Sequence, residues 1–570
     1  MVAASKKRKS KKWVDLTTLL IYIAIILVVN FAGQFAFSRF DLTSEKRYTL
    51  SDATIERVQS LEDVVFVRVY LDGNLPAEFR ELRDATKETL DELRAYSNGK
   101  LEYEFIDPSA SPVEEERVAV YEELTRLGLQ YTNVRMREGD KMTEQIIFPG
   151  AVMAYQGREV AIQLLKSKAG GNEQEMINTS IQQLEYEMVS SMRKLVRTDL
   201  LTIALLEGNG QLGELETADA VTALSEFYTV DRVKIDEQLD ALTGYTAVIV
   251  ARPDSAFSEK DKFILDQFIM RGGDVLWFID PVHARMDSLR SSNFTMGLVL
   301  EHNLTDMIFH YGARLNNDLI LDLQALPIPI VTGYVGDQPR QEMFPWYYSP
   351  LLMGNEDHPI SKNIDRLKSE FVSSIDLLEV EGVKGSVLLT SSDQTRMVNA
   401  PTRISFNILR EAPRYELFSA GKKNVAVLLE GEFTSVFTNR LPKRILESED
   451  INFREKSLPA KMIVCSDGDL IKNPISSDGT RYFALGYDKY TNQLYGNREF
   501  LLNAMNYLCD DSGLLNVRSK EFKIRLLDQA RIDEERYFWQ VLNTAAPMLL
   551  IFLFSIGRFY IRKRKYVTKA

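Results

Sequence analysis

Two uncharged apolar stretches lie at the extremities of the chain, and they limit its architecture more than anything between them. Residues 16–37 read LTTLLIYIAIILVVNFAGQFAF, with no charge between Asp15 and Arg39. As a helix rising about 1.5 Å per residue, this run covers about 33 Å, enough for the hydrocarbon core of a bilayer. Residues 541–560 read VLNTAAPMLLIFLFSIGRFY. Pro547 falls in the first two turns of that run, where a helix in lipid tolerates it best, and Arg558 is close enough to the end to snorkel. Trp13 and Trp539 flank the runs as an aromatic belt requires. Lys6, Lys7, Arg8, Lys9, Lys11 and Lys12 make the N-terminal tail basic, and Arg562, Lys563, Arg564, Lys565 and Lys569 do the same beyond Arg558 at the other end. The positive-inside rule then places both tails in the cytoplasm and the residues between the spans on the far side. A cleaved signal peptide is the competing reading, since Ala36-Phe37-Ser38 has peptidase-like spacing. The run is longer than a usual signal core and is interrupted by Asn30 and Gln34, which favours an uncleaved anchor. The expectation is a two-pass protein of the inner membrane with a periplasmic ectodomain.

Removing the tails changes the charge picture. The chain carries −12 overall, so the body between them carries −24. An acidic body repels phosphates, which argues against nucleic acid as a partner. At 570 residues, 45% apolar and 26% charged, the chain is of ordinary globular composition but too long for one core. Two to four domains are expected. Cys465 and Cys509 could pair in an oxidising compartment, but two buried thiols are the favoured reading. The four histidines, His283, His302, His310 and His358, include no i, i+4 pair, and neither cysteine has a partner at ligand spacing. No metal or other cofactor is expected.

The ectodomain opens with Ser51 as an N-cap for a helix over 52–61. A β-branched run at 64–71 reads as a strand, 76–97 as a helix, 100–106 as a strand and 113–127 as a helix. Strands follow at 130–136, 145–155 and 158–164, so a small α/β domain, thioredoxin-like in outline, is expected. After a glycine-containing break at 169–173, Ile177, Ile181, Leu184, Met188, Met192 and Leu195 form one face of a long linking helix. Then come a strand at 200–206, a helix at 215–228, a strand at 245–251, a helix from Ser258 to Met270 and a strand at 274–279. These βα units predict a parallel sheet with helices on both faces and ligand-binding loops at its carboxyl edge. Beyond residue 301 the expected strands are 319–323, 328–331, 371–380, 386–390 and 462–465. A helix is expected at 497–509, with the chain returning to the same sheet after a long insertion, and 520–539 reads as a helical stalk.

Several constellations could carry chemistry. Glu207-Gly208-Asn209-Gly210 resembles a phosphate loop, but no third glycine follows and Glu207 would repel an anion, so a tight turn is the simpler reading. The chain holds no G-x-x-x-x-G-K-[ST] and no G-x-S-x-G. ATP hydrolysis by a P-loop and elbow-type nucleophilic catalysis are therefore not expected. Asp467, Asp469 and Asp478 could face a hard cation, although solvated turns explain them better. Tyr334, Phe344, Trp346, Tyr347 and Tyr348 lie among Pro339, Pro345 and Pro350, a proline-rich loop that either docks a partner or packs on its own domain. Glu207, Asn209, Asp280, Trp346, Tyr347, Asp467 and Asp469 form the candidate ligand or partner surface, with no catalytic residue among them.

Eight passages in order carry a resemblance: RYTLS (47–51), VRVYLDGNLPAEFREL, NTSIQQLEYEMVSSMRKL from Asn178, LLEGNGQL, GGDVLWFIDP, PWYYSPLL, VCSDGDLIKN and GNREFLLNAMNYL. Together they resemble the gliding-motility ABC-transporter auxiliary proteins of the G type from Bacteroidetes, over nearly the whole chain. The resemblance implies a non-catalytic, substrate-binding or coupling subunit that partners an ABC permease and a cytoplasmic P-loop ATPase. It also implies an auxiliary-type α/β domain similar to one in intraflagellar transport proteins and related to class I amidotransferase folds without their active site. The implied organisation is a basic tail (1–15), a span (16–37), an N-terminal α/β domain (45–170) and a linking helix (171–197). The auxiliary-type domain with its insertion (198–515), a stalk (516–540), a second span (541–560) and a basic tail (561–570) follow. The rival readings are a cell-envelope scaffold and an anchored protein for a small-molecule ligand, both independent of an ATPase.

Overall fold

The computed structural model describes residues 11–35, 50–138, 141–166, 173–196, 200–292, 294–446, 448, 451–509 and 529–567. The chain is mixed α/β. Helix α1 is Lys11–Phe35, and its apolar side chains from Leu16 to Ile26 are largely exposed. The peptidase-like Ala36-Phe37-Ser38, the segment 45–49, the break at 169–172 and the stalk residues 516–528 lie outside the described residues.

Helix α2 (Asp52–Gln59) starts as the sequence requires: Ser51 Oγ accepts the Thr54 N–H at 3.2 Å. Strand β1 (Val65–Val69), helix α3 (Ala77–Tyr96), strand β2 (Leu101–Phe105) and helix α4 (Glu114–Arg126) follow. Next come β3 (Thr132–Glu138) and β4 (Lys141–Ile147), a hairpin of their own, then β5 (Gly150–Tyr155) and β6 (Arg158–Gln163). The single strand expected over 145–155 is two strands, because Pro149 has no N–H to continue a ladder. The sheet order is β2-β1-β5-β6, with β1 and β2 parallel and β5 antiparallel to both β1 and β6. Helix α5 (Glu173–Val196) lays Ile177, Leu184, Met188, Met192 and Leu195 on one face of this sheet beside Phe79, Leu82 and Leu93 of α3. The other face is covered by Leu124, Leu129 and Phe148.

The larger sheet begins with β7 (Leu201–Glu207), helix α6 (Ala218–Ser225), β8 (Tyr228–Lys234), β9 (Ala247–Ala251), helix α7 (Glu259–Met270) and β10 (Asp274–Phe278). It is completed by β11 (Ala325–Val335), β12 (Gln338–Gly354), β13 (Val383–Thr390), β14 (Asn424–Gly431) and β15 (Ala460–Cys465). Helix α8 is Asn497–Cys509. The order is β11-β12-β13-β14-β15-β10-β9-β7-β8, with the short pair Leu367–Lys368 on β12. From β15 to β8 all neighbours are parallel, and from β15 to β11 all are antiparallel. The expected parallel sheet is therefore half of a mixed one. Alternate residues of each parallel strand enter two cores. Leu205, Ile249 and Phe278 meet Phe500, Leu501 and Met505 of α8, while Leu206, Val250 and Trp277 meet Ile264, Leu265 and Phe268 of α7. Both faces are buried, which explains the near-continuous apolar runs.

Three further expectations need correction. The helix expected over 215–228 is a 3₁₀ turn, Leu215–Thr217, followed by α6, and Tyr228 opens β8 instead. The strand expected over 371–380 reduces to Ile375–Leu377. The proline-rich segment is no loop but the β11–β12 hairpin, in which Pro327 faces Pro345 and Pro329 faces Met343. Pro327 and Pro329 lie on the edge strand β11, and Pro339, Pro345 and Pro350 on a stretch of β12 that pairs with β11 alone, so a missing N–H can face away from the ladder.

A second unit of the chain contains helix α9, Gln529–Val567, continuous through Pro547. Among the described residues it contains the one helix long and apolar enough to cross a membrane, Glu535–Arg564. Met548, Leu550, Phe552 and Phe554 are each more than 60% exposed, so the apolar surface runs round the helix and not along one stripe.

Candidate functional site

From β7 the chain passes through α6 to β8 on one side, and it then crosses to β9 on the other side of β7. Connections that leave adjacent parallel strands in opposite directions open a crevice at their carboxyl ends. That end of the sheet holds a cavity of about 500 Å³. Its walls come from the turn after β7 (Gly210, Gln211), from Arg252 after β9, from Asp280 after β10 and from Asp469 after β15. Lys368 and Glu370 close it from the segment after β12, and Lys472, Phe483, Tyr487 and Asp488 from the loops before α8.

Arg252 organises the floor. It follows β9 directly, with φ +53°, a conformation that a non-glycine residue adopts at a cost. Its Nε donates to Asp280 Oδ2 at 2.7 Å, and its Nη1 lies 2.9 Å from Asp469 Oδ1. Asp280 Oδ1 also accepts the Gly468 N–H at 2.5 Å. Gly468 is required there, since a Cβ would lie 2.4 Å from Arg252 Cγ. The turn after β7 is as close-fitted. Gly210 has φ +69°, and a Cβ on it would overlap the carboxylate of Asp254. Lys472 Nζ spans Glu216 at 3.2 Å and Asp469 at 3.9 Å, and Lys368 Nζ lies 3.3 Å from Asp488.

The electrostatics follow from this crowding. Asp469, then Asp280, hold the Arg252 guanidinium charged by raising its pKa. Asp467 is fully buried behind the floor, where its Oδ1 accepts the Asp469 N–H at 2.8 Å and its Oδ2 the Glu370 N–H at 3.1 Å. Burial first, and then the nearby Asp469 and Asp280, push its carboxyl well above the ordinary range. Burial and Asp469 likewise push Glu370 up to about 7.

The predicted site residues part company here. Asp280 and Asp469 line the cavity, with Asp467 just behind them. Glu207 is drawn aside to Arg232 of β8 at 2.8 Å. Asn209 ties its turn to the loop after β9, its Nδ2 donating to Ala256 O at 3.1 Å while its carbonyl accepts the Asp254 and Ser255 N–H groups. Asp478 caps a separate turn through Thr480. Trp346 and Tyr347 offer no surface. Trp346 is fully buried on β12 with its ring 5.1 Å from Phe406, and Tyr347 packs edge-on against Phe418 at 5.4 Å. Their alternation on opposite sides of a strand buried on both faces accounts for this. The sequence reading missed Arg252, Lys368, Glu370, Lys472, Phe483 and Tyr487. Arg252 carried a usable signal, since it stands directly after a parallel strand, whereas the others lie in stretches without periodicity.

Chemically the arrangement suits binding. Cys465, at the end of β15, is fully buried, and burial pushes its thiol well above the ordinary range, which removes the thiolate a nucleophile needs.

A model of the auxiliary family described as an ABC-type uncharacterized transport system matches residues 201–504, and one for a domain of unknown function matches residues 44–154. An uncharacterized protein of Borreliella burgdorferi is 20% identical over 98% of this chain and 99% of its own length. Among solved structures, the N-terminal domain of mmIFT52 aligns with 54% of this chain and 97% of its own at 13% identity and a TM-score of 0.31. An exo-β-1,4-mannosidase from Opitutaceae bacterium strain TAV5 aligns with 67% of this chain and 45% of its own at 10% identity and a TM-score of 0.18. Because the first of these matches takes in more than half of the chain, the protein belongs to the auxiliary family of the ABC-type uncharacterized transport system.

Proposed function

We propose that this protein is a non-catalytic, substrate-binding subunit of an inner-membrane ABC transporter, tethered at both ends and presenting its carboxyl-edge cleft outside the cytoplasm. The observation that carries the reading is the cavity at the strand-order reversal of the family-matched sheet. A scaffold has no need of an arginine held in a costly backbone conformation among buried carboxylates, whereas a ligand site does. The apolar helices at the two ends and their flanking basic clusters support a two-pass arrangement with both termini cytoplasmic. The order β2-β1-β5-β6 supports a thioredoxin-like reading of residues 45–170, and the order of β8-β7-β9-β10-β15 supports an amidotransferase-like one for the core of 198–515. The association with gliding motility belongs to the same proposal and rests on the eight sequence runs.

A protein fixed at both ends works in place, so its permease and P-loop ATPase are lasting partners. Purification of the full chain in mild detergent should recover both. Recovery of neither, with the chain itself folded, would leave the ATPase-independent ligand binder as the better account.

A further inference from the structure

We propose that the cleft takes an organic cation, an ammonium-bearing solute that also offers an oxygen acceptor. The inference rests on reading the cleft as the ligand site, and it names the ligand's chemistry. Seven carboxylates line the cavity against five cationic side chains. Four of those cations are already held by carboxylates: Arg252 and Lys472 as described, Lys368 by Asp488 and Arg285 by Asp254 at 3.4 Å. The fifth, Lys489, lies 5.2 Å from the centre of the Tyr490 ring. An anionic ligand would have to break those pairs and meet the surplus carboxylates, whereas a cation meets a field of the right sign. Glu370 is the surplus group, half-buried and without an ion pair among the described residues.

Two observations independent of the acidic groups point the same way. Phe483 and Tyr487 stack at 5.3 Å with an interplanar angle of 21°, and Phe483 remains 41% exposed. Aromatic faces beside carboxylates are the environment that holds ammonium groups. Gln211, on the cavity wall, spends its Oε1 on the Asn209 N–H at 2.5 Å and leaves its Nε2 buried without a partner. A turn of that side chain into the cavity would let a ligand oxygen satisfy the N–H.

Glu370 faces Asp467 and Asp469 from the loop after β15, Lys472 beyond it, Lys368 on its own segment and Arg252 from β9. A cation bound beside it favours the ionised form, so binding releases a proton and strengthens as pH rises through about 7. The test is titration of the full chain in mild detergent with choline, inorganic phosphate or maltose, at pH 6 and pH 8. Choline alone should raise the unfolding midpoint saturably, and bind more tightly at pH 8. Glu370→Gln should weaken choline binding about tenfold and flatten its pH dependence, and Phe483→Ala, at an exposed ring, should weaken it as well. Stabilisation by phosphate or maltose without choline would overturn the cation assignment while keeping the cleft as a ligand site. Silence of all three, or choline binding unchanged in both variants, would also overturn it.

Discussion

Two sheets in this molecule begin alike, with parallel strands joined through a helix, yet they finish their strand ends in opposite ways. After β1 the chain buries Tyr70, Leu71 and Leu75, and tucks Gly73 (φ +100°) so closely that a Cβ would lie 2.4 Å from the Asp107 carboxylate. Asp107 is itself satisfied locally, by the Ser109 N–H at 2.8 Å and its hydroxyl at 2.6 Å. The larger sheet leaves a cavity at the equivalent edge and fills its floor with ions drawn from three strands. Local closure asks little of the rest of the fold. A buried ionic network assembled across strands costs desolvation that hydrophobic packing would avoid, so stability alone does not account for it.

The sharpest way to break this contrast is Arg252→Met. It strands Asp280 without a cation and leaves Asp469 only Lys472 at 3.9 Å, at a site where the arginine side chain is only 13% exposed. The expected loss is about 3–5 kcal/mol of stability. The control is Arg83→Met on α3 beside the first sheet, where the pairs with Asp72 and Asp84 are far more exposed. That change should cost no more than about 1 kcal/mol. Equal effects in urea unfolding would erase the distinction between the two edges.

Gly468→Ala and Gly73→Ala come next, at about 1–3 kcal/mol each, because both force a methyl group into an occupied space. They should differ in consequence. The first pushes Arg252 off the floor and weakens ligand binding, while the second leaves the cleft untouched. Equal loss of binding would show that the edges are coupled.

How far the sequence could foretell all this differs between the same two regions. In the first sheet, elements alternate at the surface with clear periodicity, and α2 to β6 fall close to where pattern reasoning puts them, apart from the break at Pro149 that separates β4 from β5. In the second, β7, β9 and β10 are legible as apolar runs, but no local signal marks β14, NVAVLLEG, which sits mid-sheet, paired on both sides. Its run looks no different from any buried segment, and only long-range pairing identifies it. The β8 edge strand, YTVDRVK, alternates with charges, and pattern reasoning gives Tyr228 to the preceding helix and no element to the rest of it. The cleft shows the same limit. Asp280 and Asp469 announce themselves by following strands, whereas Lys368 and Glu370 reach the site from a segment whose position is set by the fold's closure.

A smaller effect concerns pH. The folded-state pKa of Glu370 lies near 7, above its usual 4.5, so the folded protein holds a proton that the unfolded chain releases in this range. Its contribution to stability is therefore greatest below about 4.5 and falls as pH rises through 7. Without ligand, Glu370→Gln should be more stable than the parent at pH 8, and the gap should close as pH drops toward 5. A constant gap would mean that Glu370 does not titrate as its burial beside Asp469 requires.

The smallest predicted effects test whether the contrast is confined to the strand ends. Ser51 and Ser258 cap α2 and α7, one helix beside each sheet, through the Thr54 and Asp261 N–H groups at 3.2 and 3.1 Å. Each satisfies an N–H that the first turn leaves without a partner, and each does so with its own side chain, so neighbouring charge has little leverage on it. Ser51→Ala and Ser258→Ala should therefore each cost about 1 kcal/mol, with no change in ligand binding and no dependence on Glu370. A cap next to the larger sheet that cost several times its counterpart would mean that the ionic floor strains the surrounding helices, and the two regions would then differ throughout and not only at their edges.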